Sequence, residues 1–172
     1  MCSASNVTDI FLQPGEYFVG AAECRIRTLL GSCVSIILWH PARRVGALSH
    51  FLLSSRGADP VSELDARYGA EAMCLMLREL KRLNVSATEC QGKIFGGGNM
   101  FPQQIQAGRS NVGQRNGETA RDLLHSHGIP IVSESLFGVG HRQIIFDVKS
   151  GHVWARQLEL VDADQPYMRK PA

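Results

Sequence analysis

The sequence predicts an α/β architecture of the α+β type, in which helices cover mostly antiparallel sheet, and three observations carry this prediction. Short runs rich in apolar and β-branched residues recur along most of the 172-residue chain. Turn-forming residues divide some of these runs into pairs, as in β-hairpins. Two longer segments instead place apolar residues at helical spacing. Strands grouped as hairpins, together with a few helices, are typical of the α+β class.

The predicted strands form two hairpins and several single runs. "VSIILW" and "RVGALSHFLL" flank the turn signal "HPAR" and predict a hairpin over 34–53. A second hairpin is predicted over 141–158, with "KSG" as its turn. Single strands are predicted over 16–22, 25–30, 92–101 and 129–135.

Two segments carry helix signals. Asp59 is a suitable N-cap and Pro60 a suitable first residue, so we predict a helix over 60–83. Its apolar residues recur at helical spacing: Tyr68, Ala72, Met76, Leu80 and Leu83. Asn116 as an N-cap and the stop signal "GIP" predict a second helix over 117–127.

Composition indicates an ordinary globular protein. A net charge of +2, with no run of five like charges, argues against a nucleic-acid or anionic-membrane partner. The first residues resemble neither a signal peptide nor a lipoprotein signal around Cys2, and no apolar run is long enough for a membrane span. Five cysteines without a CxxC pair predict free thiols and a cytoplasmic location.

The stretch "GSCVSIILWHPARRVGALSH" places Cys33 and His50 on the two strands of the first hairpin. If the loop is the two residues 41–42, Cys33 lies directly opposite His50, with Cβ atoms about 4.5–5.5 Å apart. If the loop is the five residues 40–44, His50 opposes Val34 and a bulge is needed to return it to the face of the thiol. The pairing therefore depends on the register.

A cysteine beside a histidine suits nucleophilic catalysis. The thiolate is the nucleophile, and imidazole can take the thiol proton and later deliver it to a departing amine or ammonia. Gly31 and Ser32 allow a tight turn in which backbone N–H groups, including that of Cys33, converge on a developing oxyanion. On spacing alone the alternative is favoured, because buried structural cysteines beside β-rich runs are common.

Five ordered blocks resemble the CheD family of chemoreceptor glutamine deamidases: "TLLGSCVSIILWHP", "GALSHFLL", "KIFGGGNMF", "VGQRN" and "HRQIIFDVKSGHV". The resemblance extends over about 14–158. It implies a cysteine hydrolase without a cofactor, which converts glutamine side chains of methyl-accepting chemotaxis receptors to glutamate and releases ammonia. It also implies the layered α/β/β/α fold of the catalytic domain of cytotoxic necrotizing factor toxins. Independently of the resemblance, the length predicts one domain over 1–172, and two prolines with mixed charge predict a loose tail from about 162.

Carried over residue by residue, the resemblance places the nucleophile on Cys33 and the base on His50. The family's threonine lies six residues before the cysteine, where this chain has Arg27, whereas Thr28 lies five before it. Adjacent strand residues face opposite ways, so Thr28 takes this role only with a bulge or local shift. His141 is a second departure, because the family has glycine before the following arginine.

The segment "FGGGNM" lacks the lysine and the glycine spacing of phosphate-binding loops, so we expect a turn where backbones approach closely. The resemblance places it near the site. Gly97, Asn99 and Asn116 are therefore candidate oxyanion or substrate-contacting residues, with plain turn and cap roles as the alternative.

Three alternatives remain open from sequence. A zinc site of Cys24, Cys33 and His50 is disfavoured because the close ligand pairs of such sites are absent, so no metal is expected. The second alternative is a binding module that docks on receptors or on a CheC-type phosphatase, in which deamidation is weak or lost. A cysteine peptidase is the third.

Overall fold

The computed structural model describes residues 6–57, 63–103 and 111–159. The expected helix start at Asp59 and Pro60, the status of Cys2 and the expected loose tail after 162 lie outside these ranges. No helix within the described ranges is long and apolar enough to cross a membrane. The elements are β1 (Thr8–Phe11), β2 (Tyr17–Gly20), β3 (Cys24–Leu30), β4 (Val34–His40), β5 (Val45–Ser49), α1 (Gly69–Arg82), a 3₁₀ helix (Ala87–Glu89), β6 (Gln91–Gly96), α2 (Val112–Ser126), β7 (Ile131–Leu136), β8 (His141–Asp147) and β9 (Val153–Leu158).

The strands form two sheets. The four-stranded sheet has the order β1-β3-β8-β9, and the five-stranded sheet has the order β2-β5-β4-β6-β7. β1 runs parallel to β3 and β6 runs parallel to β7, whereas the other pairs are antiparallel. Two mixed sheets with two helices confirm the predicted α+β class.

Two apolar layers lie on the two faces of the five-stranded sheet. Its outer face packs against both helices through residues such as Val34, Ile36, Phe51, Met73 and Leu124. Its inner face packs against the four-stranded sheet through Ile37, Leu48, Phe95, Ile26, Ile144 and Phe146. On the far side of the four-stranded sheet, Leu29 and Trp154 are exposed. The described residues therefore contribute three layers: helices, the five-stranded sheet and the four-stranded sheet.

Helix α1 begins at Gly69, later than predicted. The residues before it are extended, because Leu53 pairs with Tyr68 and the Gly69 N–H donates to the Leu53 carbonyl over 2.8 Å. Gly69 is thus the first residue of the helix rather than an interior glycine. A Cβ at this position would lie 3.1 Å from the Phe51 ring, so the glycine lets the helix approach the sheet.

Helix α2 begins at Val112, five residues earlier than the predicted start at 117. Its N-cap is Asn111, whose side chain accepts from the Gly113 N–H over 2.9 Å. The predicted cap, Asn116, instead lies inside the helix and is buried. Sequence reasoning failed because both asparagines are good caps and the glycines at 113 and 117 weaken the helical pattern.

Strand β1 was not predicted from sequence. It is a four-residue strand at the edge of its sheet, and most of its side chains are exposed. Such a strand carries neither an apolar run nor a clean alternation. It forms because its backbone pairs with β3 from Thr8↔Cys24 to Phe11↔Arg27.

Candidate active site

The hairpin that carries Cys33 and His50 has a register that neither predicted loop gives. Ile37 pairs with Leu48, and the same register continues to a bridge between Val34 and Phe51. The loop is a four-residue turn over 41–44, so both predicted loop lengths are wrong. In this register His50 lies opposite Ser35, which is two residues along the strand from Cys33.

Cys33 and His50 nevertheless face the same side of the sheet. Alternate residues of a strand share a face, so Cys33 points the same way as Ser35, the residue opposite His50. That face looks into the layer between the two sheets, where Cys33 packs against the apolar core. Diagonal neighbours of this kind have Cβ atoms within about 7–8 Å, which is within reach of an imidazole ring. The strand pairing places both residues on this face without a bulge.

Thr28 reaches the same place from the other sheet. Along β3 the inward residues Ile26, Thr28 and Leu30 are buried, whereas Arg27 is exposed. The pairing of β3 with β8 is regular from 25 to 30, so the expectation that Thr28 needs a bulge is wrong. The Thr28 Oγ1 lies 2.8 Å from the His50 Nδ1 and 2.8 Å from the Leu12 carbonyl oxygen.

These two hydrogen bonds determine the tautomer of His50. A hydroxyl carries one proton, and the Leu12 carbonyl can only accept, so Thr28 donates to Leu12. The Thr28 oxygen therefore accepts the second bond, and His50 must donate it from Nδ1–H. The Nε2 of the neutral ring is left unprotonated and can accept a proton from a thiol.

Burial keeps both partners neutral at rest. Burial raises the pKa of the Cys33 thiol, an effect that its own backbone N–H partly opposes. Burial also lowers the pKa of His50 to about 4, although the nearby Glu16 carboxylate acts in the opposite direction. His50 is 1% exposed and Thr28 is fully buried, whereas Cys33 is half-buried. Of the three side chains, the thiol is the one that a substrate can reach.

The carbonyl oxygens of residues 31–33 accept hydrogen bonds that fix this loop in place. The Gly97 N–H donates to the Cys33 carbonyl over 2.9 Å, and the Gly98 N–H donates to the Gly31 carbonyl over 2.8 Å. The Asn116 amide donates to the Ser32 carbonyl over 3.2 Å. Among the described residues, no carbonyl and no side chain other than its own sulfur accepts a hydrogen bond from the Cys33 N–H, so this donor can turn to an oxyanion.

The other predicted site residues order loops. The N–H of Gly97 is used by the Cys33 carbonyl, so it is not available to an oxyanion. The Asn99 side chain accepts from the Phe101 N–H over 3.0 Å, which closes its own turn. The Asn116 amide also donates to the Leu52 carbonyl over 2.7 Å, so it ties α2 to both strands of the hairpin.

Sequence reasoning missed two groups at the site. The Leu12 carbonyl fixes the Thr28 proton, and no side chain signals such a role. Ser35 is fully buried opposite His50, and its hydroxyl has no hydrogen-bond partner among the described residues. Ser35 was detectable in principle, since it lies two residues after Cys33 on the same strand. The described residues contain no group of three or more potential metal ligands.

Replacing Ser35 by alanine is expected to stabilise the protein. The change removes an unpaired buried hydroxyl, so the free energy of unfolding should rise by about 1 kcal/mol and Tm by about 2–4 °C. Thermal denaturation measures this. Ser49→Ala is the matched control, because the buried Ser49 Oγ accepts from the Ile36 N–H over 3.3 Å and its loss should destabilise. A lower Tm for Ser35→Ala would show that its hydroxyl is bonded in solution.

The lowered pKa of His50 predicts a pH-dependent stability. The unfolded chain takes up the histidine proton near pH 6.5, whereas the folded protein does so only near pH 4. The unfolded state therefore binds more protons between these values, and stability falls as pH drops from about 6.5 to about 4, by up to about 3 kcal/mol. Denaturant unfolding across this range should show a shallower fall for His50→Gln than for the native protein. Parallel curves would contradict the assignment.

Comparison with known proteins places the chain in a family. Residues 52–157 match the family model described as CheD chemotactic sensory transduction. The chain belongs to the CheD family. A CheD protein of Albidiferax ferrireducens, named "Probable chemoreceptor glutamine deamidase CheD 2", is 65% identical over 157 residues and covers 91% of each chain. "Probable chemoreceptor glutamine deamidase CheD 1" of Chromobacterium violaceum is 40% identical, over 93% of this chain and 83% of its own.

Among solved structures, the YfiH protein of Bacillus licheniformis matches this CheD chain with a TM-score of 0.42 and 12% identity, over 72% of this chain and 49% of its own. The CheD family match itself begins after Thr28, Cys33 and His50. The alignment with the Albidiferax relative spans 157 of the 172 residues, so it necessarily includes these three positions.

Proposed function

We propose that this protein is a chemoreceptor glutamine deamidase in which Cys33 is the nucleophile, His50 the general base and acid, and Thr28 the residue that orients His50. The observation that carries the proposal is the 2.8 Å contact between the Thr28 Oγ1 and the His50 Nδ1, on the face shared with an accessible thiol. The names of the relatives support receptor glutamine as the substrate. The chain's own geometry supports the residue roles.

The first half of the reaction forms a thioester. The substrate carboxamide approaches the half-buried thiol, and the Nε2 of His50 takes the thiol proton as sulfur attacks the amide carbon. The C=O electron pair moves onto oxygen, where the Cys33 N–H can donate a hydrogen bond. The proton on Nε2 is then given to the amide nitrogen, the C–N bond breaks, and ammonia leaves.

The second half hydrolyses the thioester. Water enters the position vacated by ammonia, and His50 takes one of its protons as the oxygen attacks the carbonyl carbon. The C–S bond breaks, the proton on His50 returns to the sulfur, and a glutamate side chain remains. One water is consumed and one ammonia released for each glutamine. Every proton transfer uses the same ring nitrogen, and this requires that Thr28 keeps the other one protonated.

Thr28→Val tests the orienting hydrogen bond. Valine has nearly the same shape but cannot accept from Nδ1–H, so kcat is expected to fall by about 10- to 100-fold, the loss typical of residues that orient metal-binding histidines. KM should stay nearly constant because Thr28 is buried away from the substrate. Thr28→Ser retains the hydroxyl and should retain most of the activity. Equal rates for valine and serine would contradict the role.

Mass spectrometry of a receptor cytoplasmic fragment tests the activity itself. Deamidation replaces the amide NH₂ of a glutamine side chain by OH, so the mass of the peptide rises by about one mass unit for each modified glutamine. A gain that requires Cys33 supports the deamidase. Tight binding without the gain supports the alternative, a non-catalytic module, and cleaved fragments would indicate a peptidase.

We also propose a cytoplasmic location and, from the family resemblance, a CheC-type phosphatase as a partner. Cys24, Cys33, Cys74 and Cys90 are all free thiols, which suits a reducing compartment. Cell fractionation tests the location. Titration of the purified protein with a CheC-type phosphatase, followed by calorimetry, tests the partner.

A further inference from the structure

Arg142 is a buried cation that pairs with no acidic side chain among the residues that the structure describes. Arg142 is 4% exposed. Its guanidinium donates to three neutral acceptors: the Gly96 carbonyl over 2.9 Å, the Phe137 carbonyl over 2.9 Å and the Gln157 Oε1 over 2.8 Å. The ion pairs formed within the described ranges all involve other basic residues. Burial lowers the pKa of Arg142, yet a guanidinium stays protonated in proteins.

One acceptor of Arg142, the Gly96 carbonyl, belongs to the glycine turn that holds the nucleophile loop, which we define as residues 31–33. Gly96 ends β6 and pairs with Val34, the residue after the nucleophile. The next residue, Gly97, donates to the Cys33 carbonyl over 2.9 Å, and the Phe137 N–H donates to the Gly96 carbonyl over 2.9 Å. The guanidinium therefore lies one hydrogen-bonded step from the peptide of Cys33.

An unpaired buried charge is costly, and an apolar side chain would fill the same space without that cost. Three neutral acceptors compensate the hydrogen-bonding capacity of Arg142 but not its charge. The positive charge of the Arg142 guanidinium therefore stabilises negative charge that develops nearby. During catalysis that is the negative charge on the Cys33 sulfur and on the substrate oxygen.

We propose that Arg142 is a positioning residue of this site, which fixes the glycine turn over 96–98 and whose uncompensated charge favours the ionised form of Cys33. The role rests on the proposed function of Cys33. In general, a unit positive charge about 10 Å from a thiol lowers the thiol pKa by about one unit when the effective dielectric constant is about 20. Titratable groups around this loop in the described part of the chain include His50 after β5 and His141, whose ring lies near Gly31, and the Glu16 carboxylate before β2 acts on His50.

The test compares Arg142→Gln with Arg142→Lys. Glutamine keeps donor groups without charge, and lysine keeps the charge without the planar fork. Alkylation of Cys33 by iodoacetamide, followed across pH by peptide mass spectrometry, measures the thiol pKa without any substrate, so the result is independent of deamidase activity. We expect the pKa to rise by about one unit in Arg142→Gln and to stay near the native value in Arg142→Lys. Equal pKa values in the two variants overturn the proposal.

Gln157→Glu provides a second test that leaves Arg142 in place. A carboxylate at this position would neutralise the guanidinium while still accepting its hydrogen bond, so the Cys33 pKa is expected to rise. Gln143→Glu is the matched control. Gln143 is an exposed residue of the same strand as Arg142, so this substitution adds the same charge at the surface. The proposal would be overturned if the Cys33 pKa in Gln157→Glu were no higher than in Gln143→Glu, even if the Arg142 variants fail to fold.

Discussion

Replacing Cys33 by alanine is expected to abolish the release of ammonia from receptor glutamines while receptor binding persists. Without the sulfur no thioester can form, and the alanine side chain offers no other nucleophile to the carboxamide. Loss of a catalytic nucleophile lowers kcat by about 10⁴- to 10⁶-fold in hydrolases that act through a covalent intermediate. Ammonia release and receptor mass, followed over time at saturating receptor fragment, measure the effect.

Cys74→Ala is the control for Cys33→Ala, because Cys74 is an exposed free thiol on α1. This variant should have native activity. Deamidation by Cys33→Ala above the uncatalysed rate would show that the thiol is not the nucleophile. The binding-module alternative would be supported if the native protein itself bound the receptor fragment without deamidating it.

Gly96→Ala is expected to destabilise the protein by more than about 3 kcal/mol, since two separate costs add. Gly96 has φ +114, outside the left-handed region that alanine tolerates. A Cβ on Gly96 would also overlap the Cys33 carbonyl oxygen, which is backbone and cannot rotate away. Relieving the overlap separates β6 from the nucleophile loop, so activity should fall together with stability. Denaturant unfolding measures the change in free energy.

Gly128→Ala provides the comparison for Gly96→Ala. Gly128 also has a positive φ, +67, but the nearest atom to an added Cβ is the Thr88 Cγ2 at 3.9 Å. Only the backbone conformation is then unfavourable, at about 1–2 kcal/mol. If the two variants lose equal stability, the close approach of Gly96 to Cys33 is not what makes glycine necessary there.

Much of the fold could be predicted because periodicity is a local signal. The hairpin around "HPAR" and both helices exist, but their ends and register differ from the prediction. Ends depend on non-local pairing: Tyr68 is extended because it pairs with Leu53, fifteen positions earlier in the chain. Register depends on the length of the turn, and a change of one residue in the loop moves every partner.

The chemistry of the site was predictable only in part. Cys33, His50 and Thr28 followed from the resemblance to the CheD family, and the structure places them on one inter-sheet layer. The role of Asn116 was not predictable, because its amide reaches Ser32 and Leu52, which are far away in sequence. The Leu12 carbonyl and the neutral acceptors of Arg142 are backbone or amide groups without a sequence signature.

The contact between Thr28 and His50 joins the two sheets, since Thr28 belongs to the four-stranded sheet and His50 follows a strand of the five-stranded one. A slip of about 1 Å between the sheets would break this contact while both ladders stayed intact. The turnover rate therefore depends on the relative position of the two sheets. During gradual denaturation it should vanish while circular dichroism still records native strand content.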